Sequence, residues 1–210
     1  MEKIIQDIAI LAVPILMAIT FHEFAHGWMA DRLGDPTPRS MGRLTLNPIK
    51  HLDPIGTIVF LMTRMIGWAK PVPVNPFNLK DPKKGMLWIA LAGPAINLTL
   101  AFISAIIYRT MLSFPLPFLY SASFITLPLL LMLKASVVIN TALGLFNLIP
   151  LPPLDGGRIM TGLLPQEKAI AFSRIEPYGP IILIALIFTN VLDSTLFPII
   201  HSTIGIFLGL

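Results

Sequence analysis

Two kinds of residue are scarce in this chain of 210 residues. It contains no cysteine, so it can form neither a disulfide nor a thiolate metal site. Charged residues make up only 12% of it, about half the fraction that is usual in a globular domain. Hydrophobic residues make up 55%. These proportions exclude an ordinary soluble domain and indicate a single membrane-embedded unit over residues 1–210, surrounded by the lipid bilayer.

Long apolar stretches predict an all-α polytopic membrane protein with four to six membrane segments. The stretches that predict them are Ile4–Leu33, Ile55–Ala69, Met86–Tyr108, Phe124–Leu148 and Tyr178–Leu210. The second is too short and too interrupted for a spanning helix, and we expect it to be re-entrant or interfacial. The last contains prolines, so it is either one spanning helix plus an interfacial piece or a kinked pair.

Stretches rich in polar residues and prolines separate these segments. Residues 35–53 and 149–178 are predicted to be polar loops, and residues 113–123 a loop containing proline. The piece from Lys70 to Asn75 contains two prolines, which exclude a regular helix. We therefore expect this piece to run extended, as an edge strand near a functional site.

The distribution of lysine and arginine predicts the orientation of the chain in a cell membrane. Eleven basic residues fall in 31–53, 70–85 and 149–178, whereas the opposite side has only Lys3 and Arg109. Cytoplasmic loops carry the excess of such residues, so 31–85 and 149–178 are expected inside and the N-terminus outside. The net charge of +4 is explained in the same way, and it does not indicate binding of nucleic acid.

The sequence His22-Glu23-Phe24-Ala25-His26 is a HExxH motif at the end of the first apolar stretch. Residues four apart share one face of a helix, so both imidazoles can bind one Zn²⁺ with Glu23 beside them as general base. His22 lies about 27 Å along the helix from Ile4, just within the cytoplasmic side of the bilayer. Ionisable residues at such a depth are rare and usually functional.

A catalytic zinc has three protein ligands and one open position. Asp155 is the best candidate for the third ligand, because it follows the Phe124–Leu148 segment at its cytoplasmic end and therefore at the depth of the motif. The prolines before it break the backbone, and Gly156 and Gly157 permit close approach. Asp53 is a rival ligand, although its place before Pro54 is also typical of a turn.

These motifs together resemble the site-2 protease family of intramembrane zinc metalloproteases, in a compact form without a PDZ domain. The resemblance rests on the HExxH motif, on Asn147-x-x-Pro150 leading to Asp155-Gly156, and on Ala92-Gly93-Pro94-Ala95-Ile96-Asn97 between them. It implies a three-helix catalytic core, which we expect within residues 4–160; the apolar C-terminal stretch 178–210 is expected to follow it as a helical segment. It also implies one zinc ion held by His22, His26 and Asp155, Glu23 as the catalytic base and acid, and Asn147 as a substrate or oxyanion contact.

The function expected from this resemblance is hydrolysis of peptide bonds within the transmembrane segments of membrane-anchored proteins. A membrane metal-ion transporter is the alternative, because intramembrane His, Asp and Asn in broken helices are also typical of carriers. A non-proteolytic zinc-bound scaffold is the third. Glu23 favours the protease, since hydrolysis requires a base there and neither alternative does. We expect water to reach the site through a polar cleft lined partly by residues 35–53 and 70–78. The sequence leaves the oligomeric state open.

Overall fold

The computed structural model describes residues 2–63, 67–113 and 123–210, and within them it is built from helices. The α-helices are α1 (Glu2–Arg32), α2 (Thr37–Ser40), α3 (Pro54–Thr63), α4 (Pro82–Ser113), α5 (Ser123–Asn147), α6 (Asp155–Leu163), α7 (Gln166–Ser173), α8 (Gly179–Phe188) and α9 (Val191–Leu208). Short 3₁₀ turns occupy Pro48–Lys50, Pro76–Asn78 and Glu176–Tyr178. The all-α prediction is confirmed.

Three long helices form the centre of the molecule. Helices α1, α4 and α5 each contact the other two, and α4 also contacts α6 and α9. Small residues line these contacts: Ala18 on α1 and Ala101 on α4 are fully buried. Small side chains let helix backbones approach closely, which is how helices associate in lipid. The three-helix core implied by the resemblance is therefore present.

Within the described residues, five helical stretches are long and apolar enough to cross a membrane. They are Ala9–Arg32, Pro82–Ser113, Phe124–Asn147, Gln166–Phe188 and Val191–Leu208. Large apolar side chains on them are exposed at the surface of the protein, as those of Phe102, Leu127 and Ile181 are. In water such surfaces would aggregate, whereas in a bilayer lipid covers them. The predicted range of four to six membrane segments includes this number.

The two ends of the segment 55–69 lie next to each other in the structure. Leu52 and Ala69 form an antiparallel bridge, and the N–H of Lys70 donates to the carbonyl of His51 at 2.9 Å. Helix α3 between them has ten residues and is about 15 Å long, half the thickness of the hydrocarbon layer. This agrees with a segment that does not cross the bilayer. Residues 64–66 lie outside the described residues.

The prediction of a loop over residues 149–178 is wrong, because helices α6 and α7 occupy most of this range. Its glycines and prolines are typical of a loop, but here they serve helix packing. A Cβ on Gly156 would lie 2.2 Å from the carbonyl oxygen of Ile149, so only glycine lets α6 fold back onto the end of α5. Nearly all of the other predicted loop, residues 114–122, lies outside the described residues.

The C-terminal stretch is a broken pair of helices rather than one helix. Helix α8 ends at Phe188 and α9 begins at Val191. Asn190 between them has a φ of +57°, in the left-handed region that asparagine tolerates better than most residues. Of the two predicted alternatives, the structure has the pair.

Candidate metal centre

His22, His26 and Asp155 converge at one point although they come from distant parts of the chain. The Nε2 atoms of His22 and His26 are 3.0 Å apart, and Asp155 Oδ2 lies 3.1 Å from the first and 3.2 Å from the second. All three residues are buried. Among the described residues, His22, His26 and Asp155 are the side chains whose ligand atoms lie close enough to one another to hold a metal ion.

Hydrogen bonds on the far side of each ring orient both imidazoles. His22 Nδ1 donates to the Oδ1 atom of Asn97 at 2.6 Å, and His26 Nδ1 donates to the backbone carbonyl of Ile89 at 2.7 Å. Both partners are acceptors, so each Nδ1 carries the hydrogen of a neutral ring. Both Nε2 atoms then present lone pairs to the centre, as metal-binding histidines do.

The arrangement of these three atoms is that of a cation-binding site. Two imidazole lone pairs and a carboxylate oxygen face one another, and no hydrogen-bond donor reaches the buried Oδ2 of Asp155 within the described part of the chain. Without a positive charge between them these groups would repel one another. Ligands of a tetrahedral zinc about 2.0–2.1 Å from the metal are about 3.3 Å apart, close to the three distances here. Nitrogen and oxygen donors of this kind suit zinc.

Gly93 of α4 provides the space in which the two imidazoles meet. A Cβ at this position would lie 2.5 Å from Cε1 and Nε2 of His26 and 2.7 Å from Cε1 of His22. Both distances are well below an ordinary contact, so any side chain here would displace both rings. The next residue, Pro94, cannot donate a helical hydrogen bond and disturbs the ladder of α4 in the same turn.

Glu23 lies beside the two histidines and is held by the piece from Lys70 to Asn75. Its Oε2 atom accepts a hydrogen bond from the backbone N–H of Val72 at 2.8 Å, and the residue is buried. Residues 70–75 form no strand, so the predicted edge strand is wrong; the isolated bridge of Ala69 with Leu52 lies just before this piece. Its predicted proximity to the site is confirmed.

Asp35 anchors the far end of the same piece. Its carboxylate accepts hydrogen bonds from the backbone N–H of Asn75 and from the side chains of Asn78 and Thr37. Burial alone would raise the pKa of Asp35, but these hydrogen bonds outweigh it and hold the pKa below the ordinary value. The anchor is therefore present at neutral pH and is lost only as the pH falls through this lowered pKa.

A cavity of about 150 Å³ opens at the centre. Besides the groups above, it is lined by Pro71, Val74, Pro153, Asn147 and Arg158. Residues 70–78 contribute to the cavity as predicted, whereas no residue of 35–53 lines it. Asn147 donates one N–H to the carbonyl of Leu143 at 2.9 Å, which leaves its second N–H for another partner.

The rival ligand Asp53 is engaged elsewhere. Its Oδ1 accepts from the backbone N–H of Gly56 at 2.8 Å, so it caps the first turn of α3. Sequence reasoning missed Arg158 at the cavity and the two groups that orient the histidines. Asn97 lies in an apolar helix, where an amide is typical of hydrogen bonding between helices, and it does bond to Asn140 of α5. Ile89 contributes a backbone carbonyl, for which no sequence signal exists.

Comparison with known proteins agrees with this arrangement. The family model for peptidase family M50 matches residues 10–126 and 118–189. YwhC of Bacillus subtilis, named as a zinc metalloprotease, is 40% identical over 192 residues, which is 91% of this chain and 86% of that protein. Rip2 of Mycolicibacterium smegmatis, with the same kind of name, is 28% identical over 89% of this chain and 69% of its own length.

A zinc metalloprotease of Methanocaldococcus jannaschii is 25% identical over 76% of this chain and 35% of its own length. No solved structure matches. Nothing in the comparisons supports metal-ion transport or a zinc-bound scaffold. The resemblance to site-2 proteases is confirmed: this chain belongs to peptidase family M50 and is a membrane-embedded zinc metalloendopeptidase.

Proposed function

We propose that His22, His26 and Asp155 hold the single zinc ion of this endopeptidase and that Glu23 is its general base. The observation that carries the proposal is the convergence of three buried ligand atoms within 3.2 Å, with a buried carboxylate beside them and a cavity in front. Zinc bound there supplies Lewis acidity, which polarises a carbonyl oxygen and lowers the pKa of water.

Glu23 moves the proton in this proposal. Its Oε2 is held by Val72, so the other carboxylate oxygen, Oε1, is the atom free to accept a proton from the attacking water. The same atom then gives the proton to the amine of the departing peptide. The Val72 N–H also restricts the rotation of the carboxylate, which keeps the proton-accepting atom near the cavity.

We infer that the substrates are transmembrane segments of membrane-anchored proteins. Helix α1 contains the candidate membrane span Ala9–Arg32, and His22 and His26 lie within it, in its C-terminal half. A helical substrate hides its carbonyls in its own hydrogen bonds, so the segment that enters the cavity must unwind first. A cavity of this size admits a short extended stretch and not a folded helix.

We propose that the free N–H of Asn147 binds the carbonyl oxygen of the scissile peptide. Replacing Asn147 with leucine should lower kcat about 10²- to 10³-fold while zinc content stays at one per chain, because the donor acts on developing charge and not on the metal. Cleavage of a single-span substrate and zinc content, measured on the same preparation, check this. If Asn147 only caps the end of α5, the unfolding temperature falls and kcat of the folded fraction does not.

We also propose that the metal centre faces the cytoplasm and that the N-terminus lies outside. The excess of basic residues in 31–85 and 149–178 supports this orientation. Because the chain has no cysteine, single cysteines can report it. A membrane-impermeant maleimide should label Arg109→Cys in intact cells and Lys84→Cys only after the membrane is opened. The reverse pattern would contradict the orientation.

A further inference from the structure

A row of hydrogen-bonded polar side chains leads away from His22 through the three-helix core. It runs from Asn97 on α4 to Asn140 on α5 and then to Ser136, one turn along α5, whose hydroxyl lies 2.8 Å from that of Ser104 on α4. Asn97 is completely buried and Asn140 is 1% exposed. An unpaired polar group is costly in such surroundings, and these hydrogen bonds therefore give the row a specific geometry.

Backbone carbonyls fix the orientation of both amide groups. Asn97 Nδ2 donates to the carbonyl of Ala18 at 3.1 Å, and Asn140 Nδ2 donates to the carbonyl of Ser136 at 3.0 Å. A carbonyl oxygen can only accept, so each of these amides must point its nitrogen at its carbonyl. The oxygen of Asn140 then accepts the second N–H of Asn97 at 2.9 Å.

The oxygen of Asn97 is consequently the atom that faces His22. An acceptor 2.6 Å from Nδ1 places the hydrogen of the neutral ring on Nδ1 and the lone pair on Nε2, toward Asp155 and His26. If the amide of Asn97 turned over, its NH₂ group would face Nδ1. The hydrogen would then move to Nε2, and this nitrogen would no longer be able to bind a metal.

We propose that Asn140 is a positioning residue that acts on His22 through Asn97. Asn140 neither lines the cavity nor bonds to a residue of the metal group in the described structure. Together with the carbonyl of Ala18, Asn140 determines whether the oxygen or the NH₂ group of the Asn97 amide faces His22. The proposal rests on the proposed role of His22 as a zinc ligand.

A purely structural role makes different predictions, because hydrogen bonds between helices also stabilise the core. Replacing one partner leaves the other buried without a hydrogen bond, whereas replacing both with apolar residues of similar size restores part of the stability. Zinc affinity should not follow this pattern if Asn140 acts through Asn97. Thr141 is a matched control, since it is next to Asn140, is fully buried, and has a hydroxyl without a partner among the described residues.

The test is zinc affinity of the full chain in detergent, measured by competition with a chelator, with the unfolding temperature of the metal-free protein in parallel. Asn97→Leu should weaken zinc binding about 10- to 100-fold and Asn140→Leu about three- to tenfold. Asn140→Asp should stay within about twofold of wild type, because its neutral carboxyl group can still accept from Asn97 and donate to Ser136. The double variant Asn97→Leu/Asn140→Leu should bind no more weakly than Asn97→Leu, and Thr141→Val should match wild type.

Two results with the Asn140 variants would overturn the proposal. One is an equal loss of affinity from Asn140→Leu in the wild-type and Asn97→Leu backgrounds, which means independent action. The other is an equal loss from Asn140→Leu and Asn140→Asp. His22→Ala separates these failures from a failure of the ligand assignment. If that variant binds zinc like wild type, the assignment is wrong and the proposal falls with it; if it loses zinc, only the role of Asn140 is at stake.

Discussion

Replacing Gly93 with alanine should strongly weaken zinc binding and lower proteolysis with it, while the helices remain folded. The added Cβ would lie 2.5 Å from the His26 ring and 2.7 Å from the His22 ring, and both rings are also held from behind by Asn97 and Ile89. The rings therefore cannot retreat without giving up those hydrogen bonds. We expect zinc affinity to fall by more than about 100-fold, since ring orientation is lost as well as position.

The matched control for this substitution is Gly205→Ala on α9. A Cβ at Gly205 would have ordinary van der Waals contact, with the nearest atom 3.7 Å away. Alanine favours helix over glycine by about 1 kcal/mol, so neither substitution should weaken its helix through propensity. Zinc content, cleavage rate and unfolding temperature should all stay near wild type in Gly205→Ala. Full zinc content in Gly93→Ala would contradict the geometry of the centre.

Glu23→Gln should lower the cleavage rate about 10²- to 10⁴-fold and leave zinc content unchanged. Glutamine has the shape of glutamate and its amide oxygen can still accept the hydrogen bond from Val72, so the contact with the piece from Lys70 to Asn75 is kept. What is removed is the ability to take up a proton. The substitution therefore separates proton transfer from metal binding and from folding.

Glu176→Gln is a suitable control for the loss of one negative charge. Glu176 begins the 3₁₀ turn before α8, is exposed, and does not line the cavity. Its cleavage rate should match wild type. If Glu23→Gln cleaves at the wild-type rate with zinc bound, Glu23 is not the base; if it loses zinc, its role is in the metal site itself.

The sequence predicted the parts of this structure that follow from periodicity and length. Two histidines four residues apart must share a helix face, and apolar runs of sufficient length must be membrane helices. Asp155 was predictable because the ends of two segments on one side of a membrane lie at one depth. In each case a local pattern together with the bilayer decides the result.

The rest depended on contacts between distant segments, which leave no local pattern. Helix α6 begins at Asp155, and Gly156 and Gly157 in its first turn are typical of a loop when only the sequence is considered. The close approach of the Ile149 backbone to Gly156 explains why glycine is needed there. The carbonyl of Ile89 orients His26, and any residue at position 89 would supply the same atom. Asn97 is an amide in an apolar helix, and this position predicts a buried hydrogen bond. The sequence does not predict that the bond is made with His22.

The measurement that tests the central claim most directly is mass spectrometry of the products formed from a single-span membrane protein by the purified, zinc-loaded chain. We expect two products that result from hydrolysis of one peptide bond within the hydrophobic segment, formed by wild type and not by Glu23→Gln at equal zinc content. Cleavage confined to the soluble part of the substrate, or equal cleavage by both proteins, would contradict an intramembrane zinc endopeptidase built on these residues.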